Sequence, residues 1–271
     1  MKDAEIATKG DELPFTVTWL GAASLVFQAG SEILAVDPFL TRPTIRQLLS
    51  DSLTPNAELV RTAIPKCDHI LISHAHHDHL MDVPAVMAHT GAVVYAPPNA
   101  CKLLEVMGAD TSKVHCILSG EKFQLGSFNV EVVSGHHIWL PLPIFGKLPA
   151  SLHHPPRFKE YRMDVALAYV ISIQGLKFAV APANPVKADI LFAYPYQLRL
   201  MKDNLQQASL TTVIPIHWDN FFRPISASNM RMGQLERLNM RRFSRMASRY
   251  APHIRVKVIQ PFETTSIWDL I

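Results

Sequence analysis

Apolar and polar positions along the chain predict a first part made of strands, followed by strands that alternate with helices. Three apolar segments at residues 15–20, 24–28 and 32–36 are separated by short turns, which predicts an antiparallel meander. A further short strand is predicted over residues 68–73. Asp82 then precedes an early proline and a helical run, so we expect it to be the N-cap of a helix rather than a metal ligand.

The rest of the chain continues this alternation, which is typical of an α/β layer. We predict strands over residues 92–96, 123–125, 128–133, 165–173, 176–180 and 211–216, and helices over residues 100–108, 196–207 and 228–250. Two hairpins are expected, around Gly126 and Gly175. We interpret residues 15–271 as a single domain that follows a flexible N-terminus at residues 1–14.

A proline-rich stretch over residues 140–160 connects the two predicted hairpins. So long a connection is usually a functional loop or a disordered one, and we expect a lid-like loop. Trp139 and Phe145 are its candidate substrate-binding residues, because their rings would bury apolar surface of a substrate. The apolar side chains of this region would fit an interface between subunits equally well, so a homo-oligomer stays open as an alternative.

Composition narrows the class of protein. The chain has 271 residues, of which 48% are hydrophobic and 18% charged, and its formal net charge is only +3. We find neither an apolar run of about 18 residues nor the apolar segment of a secretory signal, so we expect no transmembrane segment and a cytoplasmic location. Cys67, Cys101 and Cys116 are scattered and odd in number, so we expect no disulfide framework.

The strand predicted at residues 68–73 runs directly into the sequence ISHAHHDHL, at residues 72–80. Neutral imidazole is a common ligand of Zn²⁺, which takes nitrogen and oxygen donors at about 2.0–2.2 Å. Because residues i and i+2 of an extended segment point the same way, His74 and His76 can hold one ion while Asp78 and His79 reach a second. The alternative is a solvated histidine-rich loop, but ordered spacing at the end of a strand favours a metal site.

Other candidate ligands follow predicted strands elsewhere in the chain. His136 and His137 follow the strand at residues 128–133, and His217 follows the strand at residues 211–216. Since ligands of α/β proteins gather at the carboxyl ends of strands, we expect these histidines to lie beside the cluster. The residues alone leave His136 and His137 as alternatives. Asp37, in the sequence VDPF, is either a carboxylate that fixes the tautomer of a ligating imidazole or an Asp-Pro turn residue.

These motifs resemble those of the metallo-β-lactamase fold. HAHHDH matches its HxHxDH signature, and WLGAAS…ILAVDPF is similar to the opening of the branch that contains ascorbate-phosphate lactonases and N-acylphosphatidylethanolamine phospholipase D. The resemblance covers nearly all of residues 15–260 and implies an α/β (α+β) fold, a four-layer αββα sandwich. It implies one metal on His74, His76 and His137, with VEVVSGHH selecting His137, and a second metal on Asp78, His79 and His217.

The sequence departs from this family at two places. Where most members carry GDT with a metal-bridging aspartate, this chain has APAN, which puts Ala183 at the aspartate and Asn184 beside it. Loss of that anionic ligand lowers the expected affinity for the second ion, so we expect one or two ions. Asn184 is a candidate weak ligand through its neutral oxygen. Ala22 likewise replaces a histidine of the opening motif.

The resemblance implies a metal-dependent hydrolase that uses a metal-bound hydroxide to cleave an ester, lactone, amide or phosphodiester. Asp78 is the expected catalytic residue, which would orient the nucleophile and take up its proton. We expect Zn²⁺, with Mn²⁺ or Fe as alternatives, and a small-molecule or lipid-like substrate. The rival hypotheses are a noncatalytic metal- or ligand-binding protein that has lost the bridging aspartate, and a nucleic-acid-processing hydrolase.

The last hypothesis rests on the helix predicted at residues 228–250. At about 100° per residue, its arginines fall on one arc and its apolar side chains on another. The arginines are Arg231, Arg237, Arg241, Arg242, Arg245 and Arg249. Such an arc can steer an anionic partner, but it is more often the solvated side of a packed helix, which is the interpretation we favour. Nucleic acid is therefore not an expected partner.

Overall fold

The computed structural model describes residues 14–50, 52–138, 141–207, 209–220 and 234–271. Three predictions fall partly or wholly outside these residues, namely the flexible N-terminus, Trp139 and the start of the long helix with Arg231. The described residues form two mixed β-sheets of seven strands each, with helices. None of the described helices combines the length and the apolar character needed to cross a membrane.

The first sheet comes mostly from the N-terminal half of the chain. Its strands are β1 (Phe15–Trp19), β2 (Leu25–Ala29), β3 (Glu32–Val36), β4 (His69–Leu71), β5 (Val93–Ala96), β6 (Val114–Cys116) and, from the end of the chain, β14 (Thr264–Ser266). They lie in the order β14-β1-β2-β3-β4-β5-β6. The predicted antiparallel meander is confirmed by the pairing of β1 with β2 and of β2 with β3, whereas β3 to β6 run parallel.

The second sheet comes from the C-terminal half. Its strands are β7 (Lys122–Leu125), β8 (Phe128–Ser134), β9 (Leu167–Ile173), β10 (Leu176–Val180), β11 (Ile190–Ala193), β12 (Thr212–Pro215) and β13 (Arg255–Val256). They lie in the order β13-β12-β11-β10-β9-β8-β7. Both predicted hairpins are confirmed, since β7 pairs with β8 and β9 with β10 in antiparallel fashion, and β10 to β13 run parallel.

Helices cover the outer faces of the two sheets. They are α1 (Ile45–Ser50), α2 (Ala57–Ala63), α3 (His77–Leu80), α4 (Val83–Thr90), α5 (Pro98–Val106), α6 (Leu198–Leu205) and α7 (Gln234–Tyr250). Short 3-10 turns occupy Thr111–Lys113, Phe158–Glu160 and Ile267–Asp269. The two-residue period of the strands divides the core into layers, because neighbouring residues of a strand face opposite sides.

The largest core layer lies between the two sheets. Leu34 and Val36 of β3 share this layer with Phe178 of β10, and Phe15 packs edge-on against Phe178 with ring centroids 5.2 Å apart. Ala35 faces the other way, into the cluster formed with α2, α4 and α5. Behind the second sheet a third cluster holds alternate residues of β11 and the buried side of α7. The predicted αββα sandwich is therefore confirmed.

Several elements were not predicted from the sequence. The two helices α1 and α2 lie in the proline-containing segment between Pro38 and Pro65, where each is too short to show a helical period. The strands β6, β11, β13 and β14 have only two to four residues each. Such strands are specified by their neighbours in the sheet more than by their own sequence.

The sequence predicted no disulfide framework, and the described residues form one disulfide, between Cys101 and Cys116. β5 and β6 run side by side, and their register places Cys116 opposite Ala96. The first turn of α5 brings Cys101 Sγ to 3.3 Å from the Ala96 carbonyl oxygen, so both cysteines meet at the same strand end. Cys67 stays a buried thiol.

The described part of the long helix, α7, buries one side and exposes the other. Met240, Phe243 and Ala247 are buried. The described arginines of the predicted arc are all exposed, namely Arg237, Arg241, Arg242, Arg245 and Arg249. This distribution agrees with the interpretation of the arc as the solvated side of a packed helix.

Candidate metal centre

The candidate ligands lie where strands of both sheets end. Asp37 follows β3, and the segment 72–79 follows β4, both in the first sheet. His137 follows β8, and His217 follows β12, in the second sheet. Parallel strands of one sheet end at a common edge, so residues distant in sequence meet there. The two sheets thus face each other across the site.

One group of donor atoms comes from His74, His76 and His137, whose ligand nitrogens all lie within 4.8 Å of one another. His74 Nε2 and His76 Nδ1 are 3.1 Å apart. The rings of His76 and His137 meet edge to face with centroids 4.6 Å apart. The choice of His137 is thus matched by its position, whereas the side chain of His136 is exposed and belongs to neither donor group that the structure describes.

Hydrogen bonds on the outer nitrogen of each ring turn the remaining nitrogen towards the group. His74 Nδ1 donates to Ser73 Oγ at 2.9 Å. His76 Nε2 donates to the Ile144 carbonyl oxygen at 3.1 Å, and His137 Nδ1 donates to the Ile138 carbonyl oxygen at 2.6 Å. Such bonds fix the tautomer of a ligating imidazole and leave a lone pair free for a metal.

The environment of this first group favours neutral imidazoles. Burial lowers the pKa of His76 to about 3, and burial together with the neighbouring histidines holds the pKa of His74 well below its usual value. Burial also lowers the pKa of His137. Since only the unprotonated ring binds a metal, these three side chains are ready to act as ligands at neutral pH.

A second group of donor atoms comes from Asp78, His79 and His217, also within 4.8 Å of one another. Asp78 Oδ2 lies 3.6 Å from His79 Nε2 and 3.4 Å from His217 Nε2. On the far side of its ring, His79 Nδ1 donates to Asp37 Oδ2 at 2.8 Å. Asp37 also accepts the backbone N–H and the hydroxyl of Ser73, so it holds both the ring and its neighbouring strand end.

Charges within the second group oppose the effect of burial. Burial raises the pKa of Asp78, but the charge of His79 and the hydrogen bond from His217 outweigh it, so the pKa lies well below its usual range. Burial lowers the pKa of His79, but Asp37 and Asp78 together raise it above its ordinary value. An ion at His79 Nε2 must therefore displace a proton, which is the usual competition in a metal site.

The backbone around the site is strained at four residues that are not glycine. Ala22, Asp37, Ala181 and His217 have φ angles of 44°, 46°, 45° and 57°. Each such residue costs on the order of 1–3 kcal/mol and persists only where its surroundings fix it. Residues of this kind cluster at functional sites. Asp37, Ala181 and His217 lie just past β3, β10 and β12, and the Ala22 carbonyl accepts the His217 N–H.

Other predicted residues lie apart from the donor atoms. Asn184 is exposed and belongs to neither donor group found among the described residues. His77, inside the cluster motif, belongs to neither donor group and packs edge-on against Phe39, Phe158 and Tyr161. Trp139 lies outside the described residues, but Phe145 lies over the site, with its ring centroid 5.5 Å from that of His76 and 5.6 Å from that of His137.

Asp82 occupies the N-cap position of α4, but its side chain makes no capping hydrogen bond. Instead, the fully buried carboxylate accepts the backbone N–H groups of Leu40 and Thr41 at 2.5 and 2.7 Å. The predicted position was thus right and the predicted interaction wrong. The carboxylate fixes the segment that follows Asp37 and is not a member of either donor group described.

Several residues of the site gave no signal in the sequence. Ser73 links His74, His79 and Asp37 through one hydroxyl, but a serine beside a histidine cluster gives no signal of its own in the sequence. Tyr194 and Tyr196 stack on each other and meet the His217 ring edge-on, at 5.3 and 5.8 Å between centroids. A tyrosine at the end of an apolar strand is ordinary in sequence, so only the fold reveals its position.

The comparisons with known proteins agree with this geometry. A family profile described as the metallo-beta-lactamase superfamily matches residues 17–140, which include the end of β1, all of β2 to β8, the histidine cluster and His137. Over these residues the chain is similar to the metallo-beta-lactamase superfamily. A relative from Carboxydothermus hydrogenoformans, named a UPF0173 metal-dependent hydrolase, is 32% identical over 122 residues, which is 45% of this chain and 47% of that protein. The match thus spans about half the length of such relatives.

Solved structures show the metallo-beta-lactamase fold over most of the chain. YhfI from Bacillus subtilis, a metallo-beta-lactamase fold protein, superposes with a TM-score of 0.58 at 14% identity, covering 93% of this chain and 99% of that one. Igni18, a metallo hydrolase from Ignicoccus hospitalis, gives a TM-score of 0.54 at 16% identity, covering 93% and 97%. CmlA, a diiron β-hydroxylase from Streptomyces venezuelae, gives 0.58 at 13% identity, covering 94% and 55%. At such identities the likeness shows the fold alone.

The residues at this edge of the metallo-beta-lactamase fold fit metal ions. Five imidazoles and one carboxylate form two groups of three, without cysteine, which is the donor set of a borderline metal such as zinc, iron or manganese. The outer nitrogens of His74, His76, His137 and His79 are hydrogen-bonded, so the inner ones converge. The donor chemistry indicates metal ions and leaves their identity open.

Proposed function

We propose that this domain is a metal-dependent hydrolase that cleaves an ester, lactone, amide or phosphodiester. The observation that carries the proposal is the convergence of two three-donor groups, from both sheets, on one edge of the sandwich. Relatives that match parts of the chain are named metal-dependent hydrolases, which supports the same reaction class. Metal ions held by these residues would supply Lewis acidity, which would acidify water and polarise a substrate oxygen.

Asp78 is the proposed catalytic residue. Its Oδ2 lies between His79 Nε2 and His217 Nε2, whereas its Oδ1 lies 3.6 Å from His77 Nδ1. Because its pKa is held well below the usual range, the carboxylate is ionised and can orient an attacking water. The proposed role of Asp78 includes taking up the proton released by that water and passing it to the departing group.

We propose that the substrate is a small molecule or lipid-like compound with an apolar part. Phe145 lies against the rings of His76 and His137, and Ile144 just before it is buried. The Ile144 carbonyl accepts the His76 Nε2–H, so this part of the 140–160 loop is anchored to the first donor group. An apolar cover of this kind excludes water and favours an apolar substrate group beside the metals.

The proposed metal is Zn²⁺, with Mn²⁺ or Fe as alternatives. The test begins with elemental analysis of the purified chain, followed by turnover assays on phosphodiesters and lactones with added Zn²⁺ or Mn²⁺. Asp78→Ala should abolish turnover with little loss of fold, while the exposed His253→Ala control should keep it. Retained turnover in Asp78→Ala would rule out the role assigned to this carboxylate.

A second function is favoured by one specific observation. Ala183 replaces the usual bridging aspartate, and its backbone N–H simply donates to the Ser134 carbonyl at 2.8 Å. A noncatalytic metal- or ligand-binding protein would fit that loss. Metal bound at full occupancy, without turnover of any phosphodiester, lactone, ester or amide offered, would favour this second function over hydrolysis.

A further inference from the structure

Arg42 is buried close to the second donor group although it belongs to neither group. It lies in the segment after β3, and its side chain is 1% exposed. Its Nη2 lies 3.0 Å from Asp219 Oδ2, and the Asp219 side chain is also 1% exposed. None of its three guanidinium nitrogens has a hydrogen-bond partner in the described structure, so Asp219 acts on it as an ion-pair partner. The buried positive charge of the guanidinium is therefore compensated mainly by the charge of Asp219.

Asp219 connects Arg42 to the backbone of His217. Its other oxygen, Oδ1, accepts the Ala22 N–H at 2.8 Å. The Ala22 carbonyl in turn accepts the His217 N–H at 2.8 Å and the Trp19 indole N–H at 2.9 Å. A continuous chain of contacts thus runs from Arg42 through Asp219 and Ala22 to a residue of the second donor group.

Both ends of the last link are strained. Ala22 and His217 have φ angles of 44° and 57°, in the left-handed region that side chains other than glycine avoid. Such conformations persist only where the surroundings hold them, and Ala22 makes three hydrogen bonds here, with Asp219, His217 and Trp19. If the Asp219 contact were lost, the His217 turn would be free to relax and move its imidazole.

Stability alone is a poor reason for this ion pair. A buried ion pair loses its hydration, and apolar residues of similar size often stabilise a fold as well or better. The position of the pair is more informative, since Asp219 is two residues from His217 and Arg42 five residues from Asp37, which holds His79. The segment 37–42 therefore acts on two of the three donors of the second group. Asp37 binds His79 directly, and Arg42 is connected to His217 through Asp219 and Ala22.

We infer that Arg42 is a positioning residue, which acts through Asp219 and Ala22 to place His217 and so sets the metal affinity of the second donor group. The first donor group does not share these contacts, because His74, His76 and His137 are oriented by Ser73, Ile144 and Ile138. The effect of Arg42 is therefore specific to Asp78, His79 and His217. This inference rests on the proposed metal-dependent function.

The test is a metal titration of the full chain, stripped with a chelator and refilled with Zn²⁺ or Co²⁺. Arg42→Met removes the charge at similar length, Arg42→Lys keeps it, and Asp219→Asn keeps the Oδ1 acceptor while removing the charge. Arg61→Met, an exposed arginine on α2, is the matched control. Ion counting gives the stoichiometry and affinity of each group, and the Co²⁺ absorption spectrum reports the ligand geometry.

We expect Arg42→Met and Asp219→Asn to weaken the second ion by about 10- to 100-fold, as for other residues that orient ligands, and to leave the first ion unchanged. Arg42→Lys should recover part of the loss. Because each charge-removing variant leaves one buried charge unpaired, its metal-free melting temperature should fall, and selective loss of the second ion separates positioning from this destabilisation. If Arg42→Met fails to fold, Asp219→Asn carries the same expectation.

Three results would overturn the inference. Wild-type affinities in both charge-removing variants would show that the contact chain does not act on the second group. Equal weakening of both ions would show a structural role only. A wild-type chain that holds a single ion, on His74, His76 and His137, would leave Arg42 nothing to position, whereas a wild type without any metal would overturn the proposed function as well.

Discussion

Asp37 shows how one side chain orients several others at the candidate site. Its two oxygens accept three hydrogen bonds, from the Ser73 backbone, the Ser73 hydroxyl and His79 Nδ1. The carboxylate thereby fixes the tautomer of His79 and turns its Nε2 towards Asp78. A carboxylate behind a ligating imidazole also increases the basicity of the ring, which strengthens the bond to a metal.

Asp37→Asn should weaken metal binding at the second donor group by about 10- to 100-fold, because the amide cannot replace a carboxylate as the acceptor for both Ser73 and His79. Isothermal titration of the metal-free protein measures the change. The matched control is Asp68→Asn, which removes a charge at the opposite end of β3, where Asp68 accepts the Ile33 N–H. Unchanged affinity in Asp37→Asn would show that the carboxylate is a turn residue only.

At the scale of elements, the site depends on how closely β8 approaches β9. Gly135 lies at the end of β8 and donates its N–H to the Ala166 carbonyl at 2.9 Å. A Cβ at this position would lie 2.5 Å from the Leu167 carbonyl oxygen and 2.7 Å from its carbon. Both atoms belong to the backbone, so the strand end, and His137 with it, would have to shift.

Gly135→Ala should therefore lower metal affinity at the first donor group and destabilise the fold by about 1–3 kcal/mol, the usual range for an overpacked site. Urea unfolding and metal titration measure the two effects. Ser134→Ala, which changes the exposed neighbouring residue, should alter neither by more than about 0.5 kcal/mol. A Gly135→Ala protein with normal metal affinity would show that His137 does not depend on this close approach.

Most of the long or strongly patterned elements could be predicted from the sequence, and the short ones could not. The alternating apolar residues of β1 to β3 and the hairpin of β9 with β10 carry their own signal, because one face of each strand is buried. The strand β11 and the helices α1 and α2 are specified by the sheet and the prolines around them. Their sequences are too short to show a periodic pattern of apolar residues.

The candidate site divides in the same way. Dense spacing singled out His74, His76, Asp78 and His79, and position after a strand singled out His217. The contributions of Ser73, Tyr194 and Arg42 depend on contacts between segments up to 177 residues apart, as in the Arg42–Asp219 pair. Contacts of that kind leave no mark on local sequence, so only the folded chain reveals them.

At the scale of the whole molecule, the donor groups join the two sheets. His74, His76, Asp78 and His79 come from the end of β4 in the first sheet, whereas His137 and His217 come from β8 and β12 in the second. An ion bound to either group therefore links the two halves of the sandwich. Because the unfolded chain cannot bring these donors together, the metal binds the folded state selectively.

Chelation should consequently lower the melting temperature of the protein. Free metal at about 100 times its dissociation constant stabilises a folded state by about 2.7 kcal/mol, and removal reverses this gain. Differential scanning calorimetry with and without chelator measures the shift. His137→Ala and His217→Ala together should make the melting temperature insensitive to the chelator. An equal melting temperature for the wild type under both conditions would contradict a metal that joins the sheets.

Trp218, which directly follows His217, lies with its ring centroid 4.8 Å from that of Trp19 in the first sheet. Two indoles at this separation couple their ultraviolet transitions, and the coupling falls steeply as the rings move apart. The near-ultraviolet circular dichroism of the pair therefore depends on the distance between the β1 end and the turn at His217. This signal measures whether the two sheets keep their distance at the site, and it needs no dye, added label or known substrate.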